Sequence, residues 1–211
     1  QQKALINSST TLSSETSYGG SDSACFLKTG RVYCLGGNDL GQLGDAQASG
    51  ASSYYLVTPS ELSNSVNSLS VYGKSACAIR NRSNLYCWGQ INGKNEPTEV
   101  MVNIPDILSL ESVAVGSNFF CVINSGKVYC QGDNAFGQIG SGSTDPSVSS
   151  LEEVINDADN QSISPVQLLQ AGEHHACMMS SNGVYCWGRN NRGQVGNGNF
   201  NNANKAHRVA F

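Results

Sequence analysis

Residues 177–196 read Cys-Met-Met-Ser-Ser-Asn-Gly-Val-Tyr-Cys-Trp-Gly-Arg-Asn-Asn-Arg-Gly-Gln-Val-Gly, and the frame of the first twelve recurs four times in the 211-residue chain. Each copy sets a cysteine, a short spacer, then Tyr-Cys-x-Gly. The copies are Cys25 with Tyr33-Cys34-Leu35-Gly36, Cys77 with Tyr86-Cys87-Trp88-Gly89, Cys121 with Tyr129-Cys130-Gln131-Gly132 and Cys177 with Tyr185-Cys186-Trp187-Gly188. These four pairs use all eight cysteines. The first cysteines are spaced by 52, 44 and 56 residues. Steps of roughly 40–50 residues are those of propeller blades, and are too long for ankyrin or leucine-rich units.

The spacing inside a copy predicts a β-hairpin. With Thr29-Gly30 at the centre of a two-residue turn, Lys28 faces Arg31, Leu27 faces Val32, Phe26 faces Tyr33 and Cys25 faces Cys34. Glycine supplies the positive φ that such turns demand. Ser125-Gly126 places Cys121 opposite Cys130 in the same way. The second copy has one extra residue and predicts a three-residue loop, while Ser181-Asn182-Gly183 predicts a longer or bulged loop in the fourth. Opposed residues of an antiparallel pair lie about 4.5–5.5 Å apart at Cα, within the range of about 4.4–6.8 Å that a disulfide accepts. Disulfides are therefore expected at Cys25–Cys34, Cys77–Cys87, Cys121–Cys130 and Cys177–Cys186. The alternatives are four reduced, buried pairs, or zinc; zinc favours closely spaced Cys-x2–4-Cys hooks, which are missing here.

The hairpins are apolar on both faces: Cys25, Leu27, Val32 and Cys34 on one, Phe26 and Tyr33 on the other. Such strands are sandwiched between two layers, as in blades stacked around an axis. Charged residues make up 13% of the chain, against a usual value of about 25%. With 23 glycines and a Ser/Asn-rich polar surface, this suits short strands and many turns. Ser150-Leu-Glu-Glu153 reads as a capping box opening a short helix through Asn156. The net charge of −4, with no Lys/Arg run, speaks against binding nucleic acid by phosphate neutralisation. No stretch reaches about 18 apolar residues, so no membrane span is expected. A first residue Gln1 rather than Met suits a processed product, and cysteines paired across hairpins point to an extracellular or cell-surface location. Asn7, Asn81 and Asn160 head three Asn-x-Ser/Thr sequons, candidate glycosylation sites of the kind a Ser/Asn-rich chain also produces by chance.

After Tyr-Cys-x-Gly, three copies continue alike, as Gly-x-Asn-x-x-Gly-Gln-φ-Gly. The motif residues are Gly36, Asn38, Gly41, Gln42 and Gly44; Gly132, Asn134, Gly137, Gln138 and Gly140; and Gly188, Asn190, Gly193, Gln194 and Gly196. This closely resembles the regulator of chromosome condensation repeat, the blade of a seven-bladed β-propeller family, and the cysteine pairing resembles its secreted members. The resemblance runs over about residues 18–211. It implies an all-β propeller, or propeller arc, of four blades, each with a disulfide-stapled hairpin. The blades fall at approximately 1–62, 63–100, 101–168 and 169–211 of a single repeat domain. The motif glycines read as turn residues needing positive φ, and Asn38, Asn134 and Asn190 as turn caps.

The second copy departs from the motif, reading Gly89-Gln-Ile-Asn-Gly-Lys-Asn-Glu-Pro97, and only four copies occur where the family usually has seven. Outer strands are expected at Thr58–Leu62, Glu96–Val100, Ser164–Leu168 and His207–Phe211, with Lys3–Ile6 pairing near the last to close a ring. A four-bladed ring, an arc completed by a second chain and a fragment are the three readings.

Catalytic and metal motifs are lacking. His174 and His175 point to opposite faces of a strand and do not share a metal; His175 matches the packing positions of Ser23 and Phe119. Asn156-Asp157-Ala-Asp159-Asn160 alternates oxygens but lacks the glycine and distal glutamate of a calcium loop. Trp88 and Trp187 read as packing residues. Family members include a nuclear exchange factor that acts on a small GTPase and binds chromatin; paired cysteines and the acidic balance argue against those roles. A secreted relative inhibits a β-lactamase with its loop-rich face. The expectation is therefore an extracellular, non-enzymatic binding module with no cofactor, recognising a protein or glycan through inter-blade loops. The loops are Asp45–Tyr55, the acidic Ser141–Ser162 (Asp145, Glu152, Glu153, Asp157, Asp159) and Asn197–Ala206. The alternative is a structural subunit that assembles with its own copies into a ring, coat or filament.

Overall fold

The computed structural model describes residues 17–45, 53–91, 94–102, 104 and 108–209. Sixteen strands form four antiparallel four-stranded sheets, each a meander in chain order. The first holds β1 (Ser17–Gly19), β2 (Ser23–Lys28), β3 (Arg31–Gly36) and β4 (Ser53–Val57). The second holds β5 (Val66–Tyr72), β6 (Ser75–Arg80), β7 (Asn84–Ile91) and β8 (Lys94–Val102). The third holds β9 (Leu110–Val115), β10 (Phe119–Asn124), β11 (Lys127–Asp133) and β12 (Ser147–Glu153). The fourth holds β13 (Val166–Ala171), β14 (His175–Ser180), β15 (Gly183–Gly188) and β16 (Ala203–Arg208).

The central hairpin of each sheet is the Cys…Tyr-Cys-x-Gly unit, with its cysteines directly opposed. All four pairs are bridged, each with Cα atoms 4.1 Å apart, and no free cysteine remains. The Thr29-Gly30 and Ser125-Gly126 turns have positive φ at both residues, the two-residue geometry that follows the twist of the strands. The second hairpin has a three-residue loop, since Arg80 pairs with Asn84. The fourth differs from expectation. Ser180 pairs with Gly183, so its loop is the two residues Ser181-Asn182, and the glycine closes the ladder.

In every blade the ladder between third and fourth strands slips beside the residue after the second cysteine. The following glycine takes a positive φ there, from 82° at Gly89 to 124° at Gly132, and on its other side a Cβ on Gly36, Gly89 or Gly188 would lie 2.4, 2.0 or 2.5 Å from the carbonyl oxygen of Asp22, Lys74 or His174.

The first strands of successive blades lie side by side, β1 against β5, β5 against β9 and β9 against β13. Each hairpin turn locks the next blade in register. Gly30, Arg82 and Gly126 carbonyls accept from the amides of Val66, Leu110 and Val166, which open β5, β9 and β13. Three apolar clusters fill the three junctions, and in each the disulfide face of one blade meets the opposite face of the next. Among the described residues no comparable contact joins the fourth blade to the first, so the four blades form an open arc.

The expected outer strands need correction. Thr58–Leu62 is a linker ending in a short 3-10 helix at Ser60–Leu62, because β4 lies earlier, at Ser53–Val57. Ser164–Leu168 is not an outer strand of the third blade. Val166 instead opens β13, the first strand of the fourth, and the third sheet closes with β12. Glu96–Val100 lies within β8. His207 lies in β16, which ends at Arg208. The capping-box helix does not form; Ser150–Glu153 lies in β12, whose ladder to β11 outweighs a weak local helix signal. Lys3–Ile6 lies outside the described residues.

Candidate binding surface

The Gly-x-Asn-x-x-Gly-Gln-φ-Gly motif builds the roots of the long loops. Its backbone makes two consecutive tight turns, with Gly137 N–H donating to Asn134 O and Gly140 N–H to Gly137 O, and likewise in the other two copies. The asparagine is buried. Its Oδ1 accepts from the amide five residues on: Leu43 at 2.9 Å, Ile139 at 3.1 Å and Val195 at 2.9 Å. The glutamine Oε1 accepts from the amide two residues back, at 2.7–2.8 Å in Gln42, Gln138 and Gln194.

The asparagine Nδ2 then reaches into the following loop. In Asn134 it donates to the carbonyls of Ser143 and Asp145. In Asn190 it donates to Asn197 Oδ1 and to the carbonyls of Asn199 and Asn201, at 2.9–3.0 Å. One buried side chain thus both closes the turn and anchors the variable segment beyond it.

Two of the three long loops meet. Ser141 bridges to Lys205 and Asn156 to Ala206. Gly142 N–H donates to Asn204 O at 2.7 Å, Asn204 Nδ2 to Gly142 O at 3.2 Å, and Asp157 N–H to Ala206 O at 3.0 Å. Lys205 Nζ donates to Asn160 Oδ1 at 2.7 Å, and His207 Nδ1 lies 3.4 Å from Asp157 Oδ2. The result is one continuous surface across the third and fourth blades. Residues 157–162 are exposed on one side of it, and Phe200, 71% exposed, projects from the other loop. The Asp45–Tyr55 loop lies mostly outside the described residues, and only its ends are seen.

The acidic residues of the middle loop do not act as one group. Glu152 accepts from the Ser141 hydroxyl. Glu153 is half-buried; burial raises its pKa, but hydrogen bonds from Ser162, Lys127 and Tyr129 and the Lys127 charge outweigh this and hold it below the usual value. Asp157 and Asp159 stay exposed. Asn156 Oδ1 and Asp159 Oδ1 accept from the amides of Ala158 and Gln161. Among the described residues no group of three or more His, Cys, Asp or Glu is arranged to hold a metal.

The two neighbouring histidines occupy different settings. His174 packs on Phe136 of the third blade, with ring centroids 4.9 Å apart, and Arg189 lies over the same ring. His175 lies over Gly172, where an added Cβ would sit 2.3 Å from its ring, just as Phe119 lies over Gly116. Burial, and next the His174 charge, push the His175 pKa down. Trp88 and Trp187 are fully buried at blade junctions. Of the sequons, Asn81 and Asn160 are exposed and at positive φ, and Asn7 lies outside the described residues. No helix among the described residues is long and apolar enough to cross a membrane.

Residues 166–194 match the family model of the regulator of chromosome condensation (RCC1) repeat. The fold is that of solved RCC1-type propellers. Human WBSCR16 superposes with a TM-score of 0.78 at 20% identity, over 93% of this chain and 52% of that one. Yeast RCC1 (Prp20), solved bound to Kap60, gives 0.77 at 18% identity, over 96% of this chain and 50% of that one. Prp20p of Saccharomyces cerevisiae, described with its binding to Gsp1p and histones, gives 0.75 at 19% identity, over 95% and 52%. Residues 166–194 thus match the RCC1 repeat, and the chain has the all-β fold of the RCC1-type propellers, with a disulfide in each blade hairpin, and spans about half the length of these structures.

Proposed function

We propose that this chain is an extracellular, non-enzymatic binding module that recognises a protein or glycan through its inter-blade loops. The observation that carries the reading is the junction of the 141–162 and 197–206 loops into one surface, rooted on buried Asn134 and Asn190. A rooted, polar surface with one exposed aromatic is what recognition at modest ordering cost needs. The four disulfides favour an oxidising compartment. RCC1 in the solved complex binds a protein, Kap60, which supports a protein partner here. Asp157 and Asp159 favour a basic epitope. Asn81 and Asn160 are proposed as glycosylation sites.

The test is a binding screen of the disulfide-intact chain against extracellular proteins and a glycan array. An Asp157→Lys/Asp159→Lys/Phe200→Ser variant is run in parallel, with Lys28→Glu as a control on the first hairpin. Retention that the loop variant loses and the control keeps supports the reading. Binding unaffected by the loop variant, or absent throughout, overturns it. The second reading, assembly of copies into a ring, coat or filament, draws on the open ends of the arc, and a mass that rises with concentration would favour it.

A further inference from the structure

The three internal junctions follow a rule, and the open face of the fourth blade carries half of it. Where a blade has the complete Gly-x-Asn-x-x-Gly-Gln-φ-Gly loop, the next blade has tryptophan after its second cysteine. Trp88 Nε1 donates to Gln42 O at 2.9 Å, and Trp187 Nε1 donates to Gln138 O at 2.8 Å. Each indole lies on the last glycine of that loop: an added Cβ on Gly44 or Gly140 would be 3.0 or 2.7 Å from the indole Cδ1. The second blade lacks the loop, and the third blade has Gln131 instead. Ile91 and Ile104 fill that junction, and Gln131 turns out to Ser149 O. Loop and indole therefore occur together or not at all.

The fourth blade has the complete loop, with Val195 fully buried and Gln194 and Gly196 in place. Among the described residues no further blade covers its disulfide face. Met179 is 41% exposed, whereas Ile79 and Ile123, at the same register in the second and third blades, are 0% and 1% exposed. Leu168, paired with Met179, is 48% exposed. At Gly196 the three nearest atoms to an added Cβ all belong to Val209. Val209 is the counterpart of Pro59, which lies beside Gly44 together with Trp88: each falls two residues past the partner of its blade's second cysteine. No indole is among those three nearest atoms, unlike at Gly44 and Gly140. At the other end of the arc, the first blade presents Leu35 at the tryptophan position, and a leucine cannot donate to Gln194 O.

We propose that the disulfide face of the fourth blade docks a further repeat blade of the Tyr-Cys-Trp-Gly type. Its indole rests on Gly196 and donates to the Gln194 carbonyl. The first blade of a second copy is not the fitting occupant. This surface adjoins the root of the 197–206 loop at Gly196, and its test does not depend on the function proposed for the joined loops.

The full chain supplies its own probe. Leu35→Trp gives the first blade the missing indole, so each copy then presents both halves of a junction. Wild type is expected to stay at monomer mass by light scattering across a concentration series. Leu35→Trp is expected to associate at least about tenfold more strongly, about 1.4 kcal/mol, and Leu35→Trp/Met179→Asp to return to monomer. Circular dichroism and intact disulfides verify the fold of each variant. Wild-type association that Met179→Asp abolishes would make a second copy the occupant and overturn the proposal. Failure of folded Leu35→Trp to associate, or association that Met179→Asp leaves unchanged, would overturn it as well.

Discussion

Trp187→Phe isolates the bond between the third and fourth blades. Trp187 is fully buried, and its Nε1 is 2.8 Å from Gln138 O. Phenylalanine keeps a flat apolar ring but removes the donor, leaving a buried carbonyl unpaired at a cost of about 1–3 kcal/mol. Loss of the five-membered ring leaves a void. At about 24 cal/mol per Å³, a void of roughly 40 Å³ adds about 1 kcal/mol. The total is about 2–4 kcal/mol, and at about 2–4 °C per kcal/mol for a chain of this size Tm should fall by about 4–16 °C. The assay is urea denaturation beside scanning calorimetry, with Gln131→Leu as the comparison at the corresponding site. Gln131 donates only to an exposed carbonyl and should shift stability by less than about 0.5 kcal/mol. If Trp187→Phe loses no more than Gln131→Leu, the indole is not what joins the blades.

The remaining predictions concern the staples, the loop roots and acid stability. Ellman titration in denaturant should find no free thiol until reductant is added, and Cys177→Ser/Cys186→Ser, which opens a loop of sequence separation 9, should cost at most about 3 kcal/mol by chemical denaturation. Asn190→Ala removes the acceptor for Val195 N–H and three donor contacts, so a loss of about 2–4 kcal/mol and faster amide exchange through 197–203 are expected. His175 has its pKa pushed below 6.5, first by burial and then by His174. The unfolded chain therefore takes up the proton first, and stability present above pH 6.5 is lost as the pH falls through that value towards the folded pKa. His175→Phe, which copies the Phe119 arrangement of the third blade, should flatten that slope when urea midpoints are compared at about pH 8 and pH 5.5, values that bracket an ordinary histidine.

Much of the fold was legible because the hairpin is a local object. A two-residue turn sets the pairing of the six residues on either side, so the Cys121–Cys130 bridge follows from counting. The Gly-Gln-φ-Gly turns were legible for the same reason, since Asn134 Oδ1 accepts from Ile139 only five residues on. The outer strands were legible only in part: Glu96–Val100 lies within β8, but Thr58–Leu62 and Ser164–Leu168 are not outer strands. β4, β8, β12 and β16 follow loops of different length, and their sequences carry no alternation strong enough to reveal where pairing resumes. Ser150–Glu153 shows the failure in the other direction: a helix signal of four residues yields to a ladder already laid down by β11.

The candidate surface was half legible. Both loops stood out as insertions, but their meeting through Ser141 with Lys205 and Asn156 with Ala206 joins residues 64 and 50 positions apart, and no local pattern encodes that. The pairing of loop with indole was likewise visible only once Trp88 and Trp187 were seen against Gln42 and Gln138 of the preceding blades. By itself, then, the sequence determined the repeat, the opposed cysteines and the tight turns, because each rests on contacts between residues close along the chain. Tertiary structure alone decided which face of each blade meets its neighbour, that no such contact joins the fourth blade to the first among the described residues, and that two distant loops form one surface. Those outcomes depend on how whole sheets pack, which local spacing does not specify.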